Sequence, residues 1–477
     1  MKICFVSSEC VPYVKTGGLA DVSGSLPSAL SVLNTDLKIF VPMYDKIDRD
    51  KFNIKKIKEL SGDSVGILEN LYSYDVYYTL HDGKIDTYFI DCPFYFSRGV
   101  VYTSDADENE RYILFQHAVL KTLQKLQWSP DVIHCNDWQS SLIPSMLKLQ
   151  YSWDKLFENT KTLLSIHNIG YQGIFPQDTV LKAGFGESLF VLGGPFEYNG
   201  NVNFLKAGIY YSDAVSTVSP TYASEIQTPE FGSGLDGVLR AKGERVFGIL
   251  NGIDTVDWNP ETDKLIPVNY SFSSLENKYH NKSELLSLSG LSKEGDTPLF
   301  GIVSRLAWQK GFELVVELVE TRIYEDFKLV VLGAGEKKYE DYFLKLMKDY
   351  PDKIKVFLEY NNKVAHLITA GSDFFFMPSR YEPCGLNQMY SLNYGTLPIV
   401  RNVGGLADTV IDVEKSDGNG FSFSDFTLES IESSFNSALK LYRNKSQLKD
   451  VIKRGMSADF SWNKSAGEYL ALYKNML

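Results

Sequence analysis

Apolar residues come along this chain in short, nearly unbroken runs, each closed by Gly, Ser, Asn or Pro. In the first half the runs are KICFVS, LKIFVP, TYFIDC, DVIHCN, TLLSIHN, AVSTVS and VFGIL; in the second they are PLFGIVS, FKLVVLG, KIKVFLE, DFFFMPS and TLPIV. Continuous rather than alternating runs mark strands buried on both faces, as in a parallel sheet flanked by helices. Between them, stretches such as ERYILFQHAVLKTLQKL and FELVVELVETRI carry the helical period. Alternation of strand and helix predicts the α/β class with doubly wound sheets.

The pattern breaks once. GILNGIDTVDWNPETDKLIPVNYSFSS is polar, with two prolines and little periodicity, and strands restart at PLFGIVSRLAWQKG. This places a domain boundary near residue 255, giving an N-terminal domain 1–255 and a C-terminal domain 256–459. The last helix, about 460–477, is a candidate to cross back onto the first domain. GGLAD occurs twice, at 17–21 and 404–408. The copies follow different strands, so two α/β halves sharing a turn explain the echo without a tandem repeat.

Composition narrows the classes. The chain has 477 residues, 44% hydrophobic and 13% aromatic, which is globular. Its length fits roughly three ordinary domains or two large α/β ones. A net charge of -12 argues against sequence-independent nucleic-acid binding but leaves room for an anionic small molecule held by a few local cations. The five cysteines (Cys4, Cys10, Cys92, Cys135, Cys384) form no CxxC pair. Neither a disulfide framework nor a thiolate zinc site is expected, and a reducing, cytoplasmic compartment is favoured. MKICFVSSE is a strand rather than a secretory leader, and no apolar run approaches the ~18 residues of a membrane span.

Four stretches carry candidate chemistry. In KTGGLADVSGSLPSAL, Leu19, Val22, Leu26, Leu30 and Leu33 fall at helical spacing behind Lys15, Gly17 and Gly18. Free N–H groups, a helix dipole and a lysine suit a phosphate or a polarised sugar; a tight turn with a solvated lysine fits as well. Pro27 is expected to kink the helix. SRLAWQKG (304–311) sets Arg305 and Lys310 on one strand-to-helix connection, which suits a departing diphosphate or an ordinary basic loop. PSRYEPCGLNQ (378–388) puts Glu382 between a buried strand and a helix beginning near Gly385. That carboxylate suits sugar hydroxyls or a helix N-terminal acid, and the N–H groups beyond it suit phosphate oxygens. Cys384 is better taken as a buried thiol than as a nucleophile, since no base neighbours it in sequence. His167, in SIHNIGYQG, ends a strand and fits a core residue, a ligand or a catalytic group. DRD (48–50) and DAD (105–107) sit in polar loops. With no HExxH motif or histidine cluster, no catalytic metal is expected, and the lack of a GxSxG elbow weakens a hydrolase reading.

Together these strings resemble the bacterial glycogen synthase and plant starch synthase family. The matches are KTGGLADV, NDW (136–138), FLKAGIYYSDAVSTVSPTYASEIQTPEFGSGLDGVL (204–239), GILNGID (248–254), SRLAWQKG, PSRYEPCGLNQ and VGGLADTV (403–410), in family order over residues 1 to about 410. The resemblance implies the GT-B architecture, two Rossmann-like domains facing across a cleft. The N-terminal domain would receive the glucan and the C-terminal one would hold most of the nucleotide. It implies a retaining glucosyltransferase moving glucose from ADP-glucose to the 4-hydroxyl of an α-1,4-glucan end such as glycogen, with no cofactor, metal, nucleic-acid or membrane partner.

Its roles map onto matching positions. Lys15, Gly17 and Gly18 look like the loop over donor glucose and diphosphate. Asp21 and Asp137 resemble cleft-lining groups, and His167 the residue beside the transferred glucose. Asn251 is similar to a group near the reacting sugar. Arg305 and Lys310 resemble the diphosphate clamp, and Glu382 the acid that binds glucose hydroxyls. Cys384, Gly385, Leu386 and Asn387 occupy the phosphate-binding helix start, and Tyr360 resembles the aromatic that stacks on the base. Asn136 stands where many bacterial members have His, and Asn387 where Thr is common. The broader E-x7-E pattern is not met, since Tyr390 takes the second position. RGVVYT (98–103) departs from the usual form of an acceptor-contacting arm. The competing readings are another GT-B enzyme, such as a sugar-nucleotide epimerase or a glucan phosphorylase, and a catalytically silent glucan-binding protein.

Overall fold

The computed structural model describes residues 1–359 and 361–477. The chain divides into two compact units. The first comprises Met1–Val218, Ala223–Gly252 and Trp462–Leu477; the second comprises Ser219–Tyr222 and Ile253–Ser461.

The main sheet of the first unit contains β1 (Lys2–Val6), β2 (Asp36–Pro42), β3 (Asn70–His81), β4 (Ile85–Asp91), β5 (Val132–Asn136), β6 (Lys161–Ile166), β7 (Ala214–Thr217) and β8 (Val246–Gly248). Their spatial order is β8-β7-β6-β5-β1-β2-β4-β3, and short strands at Lys55–Lys56 and Asp63–Ile67 pair with β3. From β8 to β4 the pairs are parallel; β3 runs antiparallel to β4. The apolar runs of the sequence became these parallel strands. β3 (NLYSYDVYYTLH) lies outside that pattern because, near the sheet margin, it mixes exposed and buried positions.

The second unit holds β9 (Leu299–Val303), β10 (Lys328–Leu332), β11 (Ile354–Phe357), β12 (Phe374–Met377), β13 (Leu397–Arg401) and β14 (Phe421–Phe423). They form a parallel sheet in the order β11-β10-β9-β12-β13-β14. Phe300, Ile302, Leu329, Val331, Phe374 and Phe376 pack into one core. Their neighbours Leu299, Val330, Leu332, Phe375 and Met377 pack into another on the opposite face. Both faces are covered, which is why these strands are continuous apolar runs.

Two helices bear on the first unit's loops. Gly18–Ser31 spans Pro27 without a break. Proline lacks the N–H that the Ser23 carbonyl would accept; the Cys10 thiol donates to that carbonyl at 3.3 Å instead. The helix Trp462–Met476 belongs to the first unit and packs beside Gly18–Ser31. It buries Trp462, Ala466, Tyr469, Leu472 and Tyr473. Gly252 permits this return, since a Cβ there would lie 2.6 Å from the backbone of Trp462. Among the described residues, no helix is long and apolar enough to cross a membrane.

Candidate active site

In doubly wound sheets, ligands bind outside the carboxyl ends of the strands where the strand order reverses. Each unit has one such point, and the sequence-predicted residues gather at both.

In the second unit the reversal lies between β9 and β12, which pair at Phe300 and Phe374. The chain leaves β9 into Ser304 and an exposed Arg305, then makes a short turn, Trp308–Lys310. Gly311 follows at φ +66°, and a Cβ there would meet the Pro378 carbonyl at 2.3 Å. Only glycine lets this turn close onto the segment leaving β12. Lys310 Nζ thereby reaches Glu382 Oε2 at 2.6 Å, and Ser379 Oγ donates to the same oxygen at 3.0 Å. Glu382 is 6% exposed. The Arg305 side chain has no hydrogen-bond or ion-pair partner among the described residues, and the residue is exposed.

The segment after Glu382 is fixed by close backbone contact. Gly404 and Gly405 lie against it: a Cβ at Gly404 would sit 1.9 Å from the Glu382 carbonyl, and one at Gly405 2.1 Å from that of Cys384. The N–H of Gly405 donates to the Glu382 carbonyl at 3.1 Å. Gly385 turns the chain at φ +70°. The helix then begins at Asn387, beyond the start expected near Gly385, and Leu386 at its N-cap makes no side-chain capping bond. Asn387 Nδ2 donates to the Val303 carbonyl at 2.6 Å, tying the helix start to the end of β9. Cys384 is buried, as are the other four cysteines, and none is in a disulfide. Tyr360 lies outside the described residues.

In the first unit the reversal falls between β1 and β5. Lys15 follows β1, Asp137 follows β5, and His167 directly follows the neighbouring β6. Lys15 Nζ pairs with Asp21 Oδ1 at 2.7 Å, and residues 15–18 are exposed. The N–H groups of Thr16 and Gly17 donate to Glu9 Oε2 at 2.5 and 3.2 Å. Gly17 is extended (φ -143°) and a Cβ on Gly18 would meet nothing within 4 Å. This copy of GGLAD therefore differs from the one at 404–408: neither left-handed backbone nor internal crowding explains its glycines.

Asp137 holds a positive φ of 54°. Its Oδ1 accepts from the His167 N–H at 2.7 Å. Burial pushes its carboxyl up to about 7, against the pull of the His167 and Asn168 N–H groups. Burial lowers His167 to about 4, so its ring is neutral at ordinary pH. Asn136 Nδ2 donates to the carbonyls of Val6 and His134 at 3.0 and 3.4 Å, which leaves Asn136 Oδ1 as an acceptor. His167 Nε2, 2.9 Å from that oxygen, is the protonated nitrogen, and Nδ1 is free to accept. Asn251 is buried, and its Oδ1 has no hydrogen-bond partner among the described residues. The sequence does not single out Glu9 or Tyr102 as site residues; the polar SSE directly after the first strand is the one available sign of Glu9.

Residues 2–241 match the family of the starch synthase catalytic domain, and residues 289–455 match group 1 glycosyl transferases. The glycogen synthase of Thermosipho melanesiensis is 43% identical over 481 residues, covering 100% of this chain and 99% of that one. The chain belongs to the glycogen and starch synthase family. The glycogen synthase of Koribacter versatilis is likewise 43% identical, covering 99% of this chain and 98% of its own. The catalytic domain of starch synthase IV from Arabidopsis thaliana, solved with ADP and acarbose, superposes with a TM-score of 0.91 at 30% identity, over 100% of this chain and 99% of that one. A sucrose-phosphate synthase from Thermosynechococcus elongatus shares the fold, with a TM-score of 0.61 at 17% identity over 100% and 98% of the two chains. The fold is the GT-B type of these glycosyltransferases. As a member of this family the chain is a glycogen (starch) synthase, a glucosyltransferase that takes a sugar-nucleotide donor and a glucan acceptor.

Proposed function

We propose that the donor is ADP-glucose and that the glucosyl unit passes, with its α configuration kept, to the 4-hydroxyl of an α-1,4-glucan end such as glycogen. The observation that carries the reading is the set of groups at the β9/β12 reversal: the exposed Arg305 beside the Lys310–Glu382 pair at 2.6 Å. A diphosphate gains negative charge as its bond to the sugar breaks, and it needs cations more than a proton donor. Arg305 and Lys310 supply them, Lys15 adds another, and the turn at 384–387 offers backbone N–H groups. Glu382 accepts from glucose hydroxyls. His167, neutral with an accepting Nδ1, orients the sugar without competing for its proton. Gly17 and Gly18 leave room for the donor, and Asp21, Asp137 and Asn251 line its sugar end. The N-terminal domain, 1–255 with the returning helix, receives the glucan, and 256–459 holds most of the nucleotide.

No carboxylate among these groups is placed as a nucleophile. We therefore favour front-face attack, in which the acceptor oxygen bonds to C1 as the diphosphate leaves and the departing phosphate takes the acceptor's proton. The bound ADP of the plant starch synthase supports the choice of nucleotide. A cytoplasmic location accords with five buried thiols and no disulfide. The test is a donor competition on glycogen: release of ADP with chain extension from ADP-glucose is expected, in preference to UDP-glucose. Equal use of UDP-glucose overturns the donor assignment, and no release from either favours a silent glucan-binding protein.

A further inference from the structure

We propose that Glu9 is a positioning residue for the Lys15 loop, and that Tyr102 couples it to the arm at 98–103; the coupling to acceptor rests on the function proposed above. The exposed residues 15–18 cap a buried acid: Glu9 is 3% exposed, and its Oε2 accepts from Thr16 and Gly17 N–H at 2.5 and 3.2 Å. An exposed segment with two glycines loses much backbone freedom on ordering. Two bonds to one carboxylate offset that loss and fix the loop's polarity. They turn the Thr16 and Gly17 donors inward, so that the loop presents Lys15 outward.

The segment that bears Glu9 is itself held from another part of the chain. The Tyr102 hydroxyl lies 2.9 Å from the Oγ of Ser8, the residue before Glu9. Tyr102 has little freedom, because its neighbours are anchored. The fully buried Arg111 donates to the carbonyls of Val101 (3.1 Å) and Tyr95 (2.8 Å), and Glu108 accepts from the Thr103 N–H at 3.2 Å and from its hydroxyl at 2.5 Å. Arg98 is fixed by Asp105 and Asp107 at 2.9 and 2.6 Å. The 98–103 arm is therefore pinned even though its sequence departs from the family form. A glucan that moves Tyr102 moves the hydroxyl against which Ser8, Glu9's neighbour in the chain, rests.

The test compares Glu9→Ala, Glu9→Gln and Tyr102→Phe in the full chain. Steady-state transfer is measured from ADP-glucose to glycogen, and amide exchange at Thr16 and Gly17. Loss of the carboxylate is expected to lower kcat about tenfold or more with donor KM within about twofold. Glutamine, whose Oε1 accepts the same two N–H groups, is expected to restore kcat to within about threefold. Tyr102→Phe is expected to raise the KM for glycogen and to speed exchange at both amides, Glu9→Ala by about tenfold and Tyr102→Phe by less. Wild-type kcat in Glu9→Ala, or unchanged exchange in Tyr102→Phe, overturns the proposal. Wild-type turnover in the same assay checks the functional reading separately. If the wild type is inert, or Glu9→Ala does not fold, the exchange rates of Glu9→Gln (as wild type) and Tyr102→Phe (faster) decide.

Discussion

Lys310 Nζ lies 2.6 Å from Glu382 Oε2, joining a cation and an acid that stand 72 positions apart in the chain. The side chains are 20% and 7% exposed, so each restrains the other in a setting that screens it poorly. Proposed as the diphosphate clamp and the sugar-binding acid, they act as one unit. Lys310→Ala and Glu382→Ala are each expected to lower kcat about 100-fold or more. The double variant is expected to lose little beyond the worse single, since each change already frees the partner. Rates of ADP release on glycogen measure this. Turnover within about threefold of wild type in Lys310→Ala, or fully additive losses, sinks the paired role.

The pH profile separates Asp137 from His167. Burial raises Asp137 to about 7 and lowers His167 to about 4. A limb of kcat near neutrality is therefore expected from the carboxyl, absent in Asp137→Asn and present in His167→Gln. Stability follows with opposite signs. A carboxyl that binds its proton more tightly when folded contributes stability that is full below its unfolded value and lost as pH rises through about 7. His167 contributes stability present above its unfolded value and lost as pH falls toward 4. Melting temperatures of Asp137→Asn should gain on the wild type by roughly 2–4 °C between about pH 5 and about pH 8. A constant difference contradicts the raised carboxyl.

The two GGLAD copies answer differently to a methyl group. A Cβ at Gly18 meets nothing within 4 Å, whereas one at Gly405 falls 2.1 Å from the Cys384 carbonyl. Gly18→Ala, at the first position of a helix, should melt within about a degree of wild type yet lose about tenfold or more in kcat if donor passes close to the loop. Gly405→Ala should be destabilised by about 1–3 kcal/mol, as overpacking against backbone requires. Calorimetry beside initial rates distinguishes them. A Gly18→Ala enzyme with wild-type turnover removes the reason for the first glycine pair.

The sequence carried the strands that are buried on both faces, because burial of that kind imposes unbroken apolar runs. Asn70–His81 was illegible by the same criterion, since its exposed positions interrupt the run. The motifs SRLAWQKG and PSRYEPCGLNQ were visible as chemistry. Their convergence depends on β9 lying beside β12, an adjacency that no spacing in the chain encodes. Glu9 had only the polar SSE after the first strand as a sign: its meaning appears when residues 16 and 17 fold back over it. The helix at Pro27 went against expectation because a cysteine outside the helix donates to the carbonyl that proline leaves unpaired.

The C-terminal helix offers a test of how the first unit is held together. Tyr473 OH is 2.7 Å from His134 Nδ1, and His134 Nε2 is 2.5 Å from Ser165 Oγ, which in turn lies 2.5 Å from Ser216 Oγ. This buried chain crosses β5, β6 and β7, and passes through Ser165, two residues before His167. Burial lowers His134 to about 3, so the ring is neutral and one nitrogen needs a donor or acceptor in the protein. Tyr473→Phe keeps the ring packing and strands Nδ1 with no partner, which costs about 1–3 kcal/mol. Urea unfolding should show that loss with an unchanged slope, while donor KM stays within about twofold. A Tyr473→Phe protein as stable as wild type shows that the helix is held by its apolar face alone.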